Sequence, residues 1–279
     1  MNVGGSDHSA AKVRKSGLAL TLPMLPLALL IEYDGTDYIG WQVQPSGESV
    51  QSVVQNAVMK AYGCVVSIVG AGRTDAGVHA IGQVAHVHLP GDANVIPLHK
   101  ARIAINVQMP KDIRIRQVAE VEPTFHARYG PDWREYVYTI AFEERALRRR
   151  TEWCPLMTYD PTKLADAATV FEGQHDFTSF SKANADTRSY VCRVDICRVE
   201  YHADRVVVRI RADRFVYGMC RAIVGAMMDV ARGKRTPEEL RAALSVRDRV
   251  HASPLAPPAG LILNRVHYPE GIFDDNSYL

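Results

Sequence analysis

Stretches with a hydrophobic period of two and stretches with a period of 3.6 succeed one another along this chain, in a similar order twice. Alternate apolar residues bury one face of a strand, whereas apolar residues three and four apart bury a helix stripe. The alternation therefore limits the fold to mixed α and β structure. In the first half, residues 27–33 read as a strand ending in the turn residues Asp34-Gly35. Val50, Val53, Val54, Ala57, Val58 and Ala61 lay an apolar stripe along a helix over 49–62, stopped by Gly63. Residues 65–69 and 82–89 read as strands, 98–105 as a helix ending before Pro110, and 113–118 as a strand. In the second half a strand over 133–142 leads into a basic loop, and a helix over 162–171 follows Pro161. Strands over 194–201 and 206–212 make a hairpin around Ala203-Asp204, and a helix over 216–231 stops at Gly233. Thr236-Pro237-Glu238-Glu239 opens another helix with a cap, a first-turn proline and favourable acids, and 261–266 reads as the last strand.

The pattern divides the chain into a loose tail over 1–24 and two α+β halves over 25–130 and 131–279. In the tail, Lys12, Arg14 and Lys15 precede a mostly apolar stretch and so imitate a signal peptide. Pro23 and Pro26 interrupt it, no small-x-small cleavage site follows, and it falls short of the roughly 20 residues of a membrane span. Five cysteines with no C-x-x-C pair argue against a disulfide framework or a cysteine zinc site, and for a reducing compartment, the cytoplasm. With 47% hydrophobic and 23% charged residues the chain can build a substantial core. Its net charge of +2 announces no polyanionic partner. The basic residues are mostly arginine, 25 against 8 lysines. Guanidinium suits phosphate contact and base stacking, though a GC-rich coding sequence gives the same bias.

Chemistry concentrates in Gly70-Ala71-Gly72-Arg73-Thr74-Asp75-Ala76-Gly77-Val78-His79. Its small residues let backbone approach a ligand closely, while Arg, Thr, Asp and His supply polar groups. No Gly-Lys-Ser/Thr follows, so it is no phosphate-binding P-loop, and its glycine spacing is wrong for a dinucleotide fingerprint. On composition alone, Asp75-Ala76-Gly77 also reads as a plain tight turn.

The segment resembles, residue for residue, the catalytic motif of the tRNA pseudouridine synthase A family. The likeness continues in family order through Glu32-Tyr33-Asp34-Gly35, Gly40-Trp41-Gln42, Gly82-Gln83-Val84, Phe125-His126-Ala127-Arg128 and the pair Tyr136 and Tyr138. It extends through Gly173-Gln174-His175-Asp176-Phe177-Thr178-Ser179-Phe180, Phe215-Val216-Tyr217-Gly218-Met219-Cys220-Arg221, Ile223-Val224-Gly225 and Pro258-Ala259-Gly260-Leu261.

The resemblance implies an α+β fold of two similar ferredoxin-like or RRM-like halves. They would join into one large, mainly antiparallel sheet with helices on one face and the active-site cleft between them. It implies Asp75 as the catalytic carboxylate, whose attack on C1′, addition to C6 or removal of a C2′ proton the sequence leaves open. Arg73 is then the arginine that helps extrude the nucleotide, Tyr136 the ring that stacks on the base, and Arg221 the partner of the carboxylate. Read by themselves, Tyr136 is a cross-strand aromatic alternating with Tyr138. Arg221 is a charge amid Phe215, Val216, Met219, Ile223 and Val224, as expected of a partly buried, paired group. The reaction needs no redox partner, so no cofactor and no metal are expected. The implied partner is tRNA, bound across a homodimer and modified at uridines 38 to 40 of the anticodon stem-loop, with neither DNA nor a membrane involved. A synthase acting on another RNA and a non-catalytic RNA-binding module are the alternatives.

His86-Val87-His88 sets two histidines on one side of a strand, but no acidic or cysteine ligand stands at fitting spacing. Arg145, Arg148, Arg149 and Arg150 form either a solvated basic run or a phosphate contact. The sequence departs from the family pattern at Glu135 and Val137, where basic residues commonly flank the tyrosine, and over 151–161, which has no family feature to anchor it.

Overall fold

The computed structural model describes residues 24–182, 187–249 and 253–273, so the expected tail lies outside the described residues except for Met24. The fold is α+β, with one nine-stranded, mainly antiparallel sheet and five α-helices among those residues. The first group of elements is β1 (Leu25–Tyr33), α1 (Val50–Tyr62), β2 (Ile68–Gly70), β3 (His79–Leu89), α2 (Leu98–Asn106) and β4 (Ile113–Glu120). The second is β5 (Trp133–Ala141), α3 (Lys163–Ala168), β6 (Gly173–Asp176), β7 (Val191–Tyr201), β8 (Arg205–Ala212), α4 (Met219–Ala231), α5 (Pro237–Val246) and β9 (Leu261–His267).

Strand order is β4-β1-β3-β9-β5-β8-β7-β6, with β2 also on β3. Every pairing is antiparallel except β3 with β9, which is parallel and only two residue pairs long, His79 with Ile262 and Ala80 with Leu263. Since β1 holds one edge of β3, β2 and β9 must share the other. β2 takes the far end, at Ala85 to Val87, and β9 takes the near end. The residues between β2 and β3 therefore turn at the seam where the first group of strands gives way to the second. Gly82 permits this approach, because a Cβ there would stand 2.2 Å from the Asn264 carbonyl oxygen.

Local sequence explains most boundaries. Ser49 caps α1 by accepting the Ser52 N–H while the Ser52 side chain reciprocates, and Gly63 ends the helix at φ 68°. Val50, Val54, Ala57 and Val58 are buried as their spacing predicts, whereas Val53 and Ala61 are only partly so. The helix expected over 162–171 is an α-helix only to Ala168 and then tightens into a 3₁₀ turn. The helix expected from residue 216 starts at Met219, because Gly218 adopts φ 76° and breaks the helical path. Strand β6, Gly-Gln-His-Asp, was not expected. The second strand begins at Ile68, leaving Val65 exposed, and the third begins three residues before its expected start.

Candidate active site

The loop over 71–78 is held from below by the segment that follows β1. Trp41 donates its N–H to the Thr74 carbonyl at 3.1 Å, and Ala71 donates to Val84 at 2.7 Å. Gly40, at φ 105°, lies so close beneath that a Cβ would stand 2.5 Å from the Thr74 oxygen. The Thr74 hydroxyl shares a 2.8 Å hydrogen bond with the Tyr33 hydroxyl, and Gln83 Nε2 donates to the Gly72 carbonyl at 2.8 Å. At the end of the loop, His79 Nδ1 accepts the Gly35 N–H at 3.1 Å and lies 3.2 Å from Asp34 Oδ1. With Thr74 anchored inward, its neighbours turn the other way. Arg73 is exposed, and Asp75 reaches across the seam.

Arg221 meets it there. Nη1 donates to Asp75 Oδ2 at 2.8 Å, and Nε donates to the Ala256 carbonyl at 2.7 Å, fixing the guanidinium from two sides. The side chains are only 9% and 14% exposed, so the pair is shielded from water and from salt. Arg221 lies in the first turn of α4, whose positive N-terminal end has no side-chain cap. A second cation, the Lys182 ammonium, lies 3.8 Å from the same Oδ2. Among the described residues, none donates to Oδ1.

Tyr136 flanks the loop. Its ring packs edge-on against Phe215 at 4.9 Å, and its hydroxyl lies 3.7 Å from where a Cβ on Gly72 would stand. Burial, then the neighbouring Cys220 and Tyr33, pushes its pKa well up, so it holds its proton at neutral pH. Burial and the Asp75 charge likewise push the Cys220 thiol up, which removes it as a nucleophile.

The structure thus brings Asp75, Arg221 and Tyr136 to one place and leaves Arg73 on the exposed rim. Sequence reasoning missed Lys182 and Arg134. Arg134 donates to the carbonyls of Ala71 (3.3 Å), Asp213 (2.8 Å) and Arg128, tying the start of the loop to the end of β8 and to the segment before β5. Period-two geometry was its signal, since residue 134 shares a strand face with Tyr136 while Glu135 and Val137 do not. Lys182 stands two residues beyond the matched block that ends at Phe180, with no local feature to mark it.

The histidine pair is a packing feature. His86 Nδ1 accepts the Ala127 N–H at 3.1 Å, and its ring meets those of His88, Phe125 and His126. Burial and the two neighbouring histidines lower its pKa to about 4. Among the described residues no group of three or more His, Cys, Asp or Glu could hold a metal ion. The basic loop is largely engaged by acids: Arg145 and Arg148 with Asp204, Arg148 with Glu152, and Arg150 with Asp34 and Asp37.

A family model described as tRNA pseudouridine synthase matches residues 29–130 and 167–269, on both sides of the seam. The protein named tRNA pseudouridine synthase A from Sinorhizobium fredii (strain NBRC 101917 / NGR234) is 39% identical over 245 residues, covering 86% of this chain and 98% of its own. Its namesake from Chlamydia trachomatis serovar L2b is 36% identical, over 87% of this chain and 92% of that one. That from Parvibaculum lavamentivorans is 39% identical, over 86% and 98%. A solved chain titled "Crystal Structure of a Cbf5-Nop10-Gar1 Complex" aligns at 13% identity and a TM-score of 0.34, over 86% of this chain and 57% of that one, a likeness too slight to carry any conclusion. These sequence matches define the class: an isomerase of the pseudouridine synthase kind. Within that class, the chain belongs to the tRNA pseudouridine synthase A family.

Proposed function

We propose that this chain converts uridine to pseudouridine at positions 38 to 40 of the tRNA anticodon stem-loop, with Asp75 as the nucleophile, acting as a homodimer in the cytoplasm. The observation that carries the chemical part is the contact between Asp75 and Arg221, 146 residues apart in sequence and 2.8 Å apart in space. The reaction breaks the N1–C1′ bond, turns the base and bonds C5 to C1′. It requires a carboxylate held ionised and aimed at the sugar. Arg221 fixes Oδ2, and Oδ1 has no donor among the described residues, so Oδ1 is the oxygen left to react. The target nucleotide must first leave its stack, at roughly a few kcal/mol. Arg73 stands exposed at the rim to assist, and Tyr136 beside the loop offers a ring for stacking. The stem-loop positions and the homodimer rest on the family resemblance, and the cytoplasm on the cysteine usage.

Asp75→Asn tests the reading, because the amide keeps the shape and removes the nucleophile. Tritium release from labelled tRNA should fall at least about a thousandfold, about 4 kcal/mol, while tRNA binding persists. Turnover within about tenfold of wild type makes Asp75 a turn residue and ends the proposal. Pseudouridine mapping in tRNA from a strain lacking the protein should show loss at 38 to 40. Loss in another RNA instead would reassign the substrate.

A further inference from the structure

The Lys182 ammonium lies 3.8 Å from Asp75 Oδ2, an ion-pair distance beyond hydrogen-bond range, and among the described residues it donates no hydrogen bond. An ammonium carries three donors, and none of the three is taken by a described residue. Its position is built. The Lys182 N–H donates to the Tyr217 carbonyl at 2.8 Å, the ammonium stands 4.8 Å from the centre of the Tyr217 ring, and the stem runs past Gly218, 3.4 Å from where a Cβ would be. Arg221, 14% exposed, takes the closed side of the carboxylate, and Lys182, 34% exposed, takes the open side. The donors Nε and Nη1 of Arg221 are already engaged by Ala256 and Asp75.

We infer that Lys182 is a further catalytic residue, whose ammonium holds the uracil anion while the base is detached from the ribose. The inference rests on the reaction proposed above. When Asp75 Oδ1 bonds to C1′, the N1–C1′ bond breaks, and its electron pair stays on N1 and spreads to O2 and O4. Removal of a C2′ proton by the same carboxylate releases the same anion and leaves a C1′–C2′ double bond, and Asp75 returns that proton to C2′ as C5 bonds to C1′. When C5 bonds to C1′, the ester bond breaks and its pair returns to Asp75. A proton then leaves C5 and another is taken up at N1, so nothing is gained or lost overall. Between the two bonds the base carries a full negative charge and must turn without leaving. A point cation with freely rotating donors suits a moving anion better than a guanidinium clamped at two atoms.

The test compares Lys182→Met and Lys182→Arg with wild type, using single-turnover rate at saturating enzyme and tRNA affinity across a salt series. Removing a cation that acts on developing charge should slow the Met variant about a hundredfold, with affinity and salt dependence unchanged. The Arg variant should recover most of that loss. Melting temperatures near wild type for both variants show that each is folded. A full-speed Met variant overturns the inference. So does weakened binding with a shallower salt dependence, which marks a phosphate contact, or an Arg variant no better than Met. Asp75→Asn measured alongside separates the two claims. If it is inactive while the Met variant is fast, only the Lys182 assignment fails. If it is active, the underlying reaction fails.

Discussion

Arg221 binds a backbone carbonyl with one nitrogen and the Asp75 carboxylate with another, so it orients as well as neutralises. Arg221→Met should therefore lower turnover far more than tRNA affinity, as rates and binding measured on one preparation will show. Normal turnover with weaker, less salt-sensitive binding would make it a phosphate contact instead. His86 gives a second residue-level expectation. The folded protein keeps it neutral down to about pH 4, whereas an unfolded histidine takes up its proton near 6.5. As pH falls from 6.5 toward 4, protons bind the unfolded chain first, and the folded state loses stability. His86→Gln should flatten the melting temperature against pH in that interval. An unchanged slope would remove His86 as its source. At this scale the sequence marked Asp75 and Arg221 through motifs, because loop chemistry and a charge within an apolar run are both local patterns. Lys182 and Arg134 act on groups 107 and 63 residues away respectively, and local patterns hold no record of such contacts.

The helix α4 shows why elements were legible and their edges less so. Its apolar run is unmistakable, and nearly all of it is buried. Its start depends on the left-handed Gly218, and a glycine does not announce which conformation it will take. Gly225 carries a sharper consequence. A Cβ there would stand 1.9 Å from the Pro254 carbonyl oxygen, a backbone atom that cannot swing aside. The segment it touches continues to Ala256, which exchanges hydrogen bonds with Arg221 through both its N–H and its carbonyl. Gly225→Ala should cost about 1–3 kcal/mol or more of stability and lower turnover as well, because the guanidinium loses its anchor. A variant with normal melting temperature and rate would show that the contact relaxes freely. The second helix end, at Thr236, was legible because Thr-Pro-Glu-Glu writes its cap into four consecutive residues.

Across the whole molecule the order of strands and helices was readable, but the joint between β3 and β9 was not. Two residue pairs leave no periodic signature, and β6, with the sequence Gly-Gln-His-Asp, has none of the apolar alternation that marks a strand. Gly82→Ala tests that joint, since the added methyl would meet the Asn264 carbonyl. The melting temperature should fall by several degrees and activity with it, as expected when about 1–3 kcal/mol of strain enters a packed contact. Retention of both would mean that the strands can part there without harm. The seam has one more consequence, in the order of synthesis. The carboxylate is made early and its arginine 146 residues later. A nascent or half-unfolded chain can display the loop, but it has no cation to hold the carboxylate and no ring beside it. If Asp75 has the role proposed above, reactivity toward RNA arises only once the distant parts of the chain have docked, and a misassembled molecule is chemically silent.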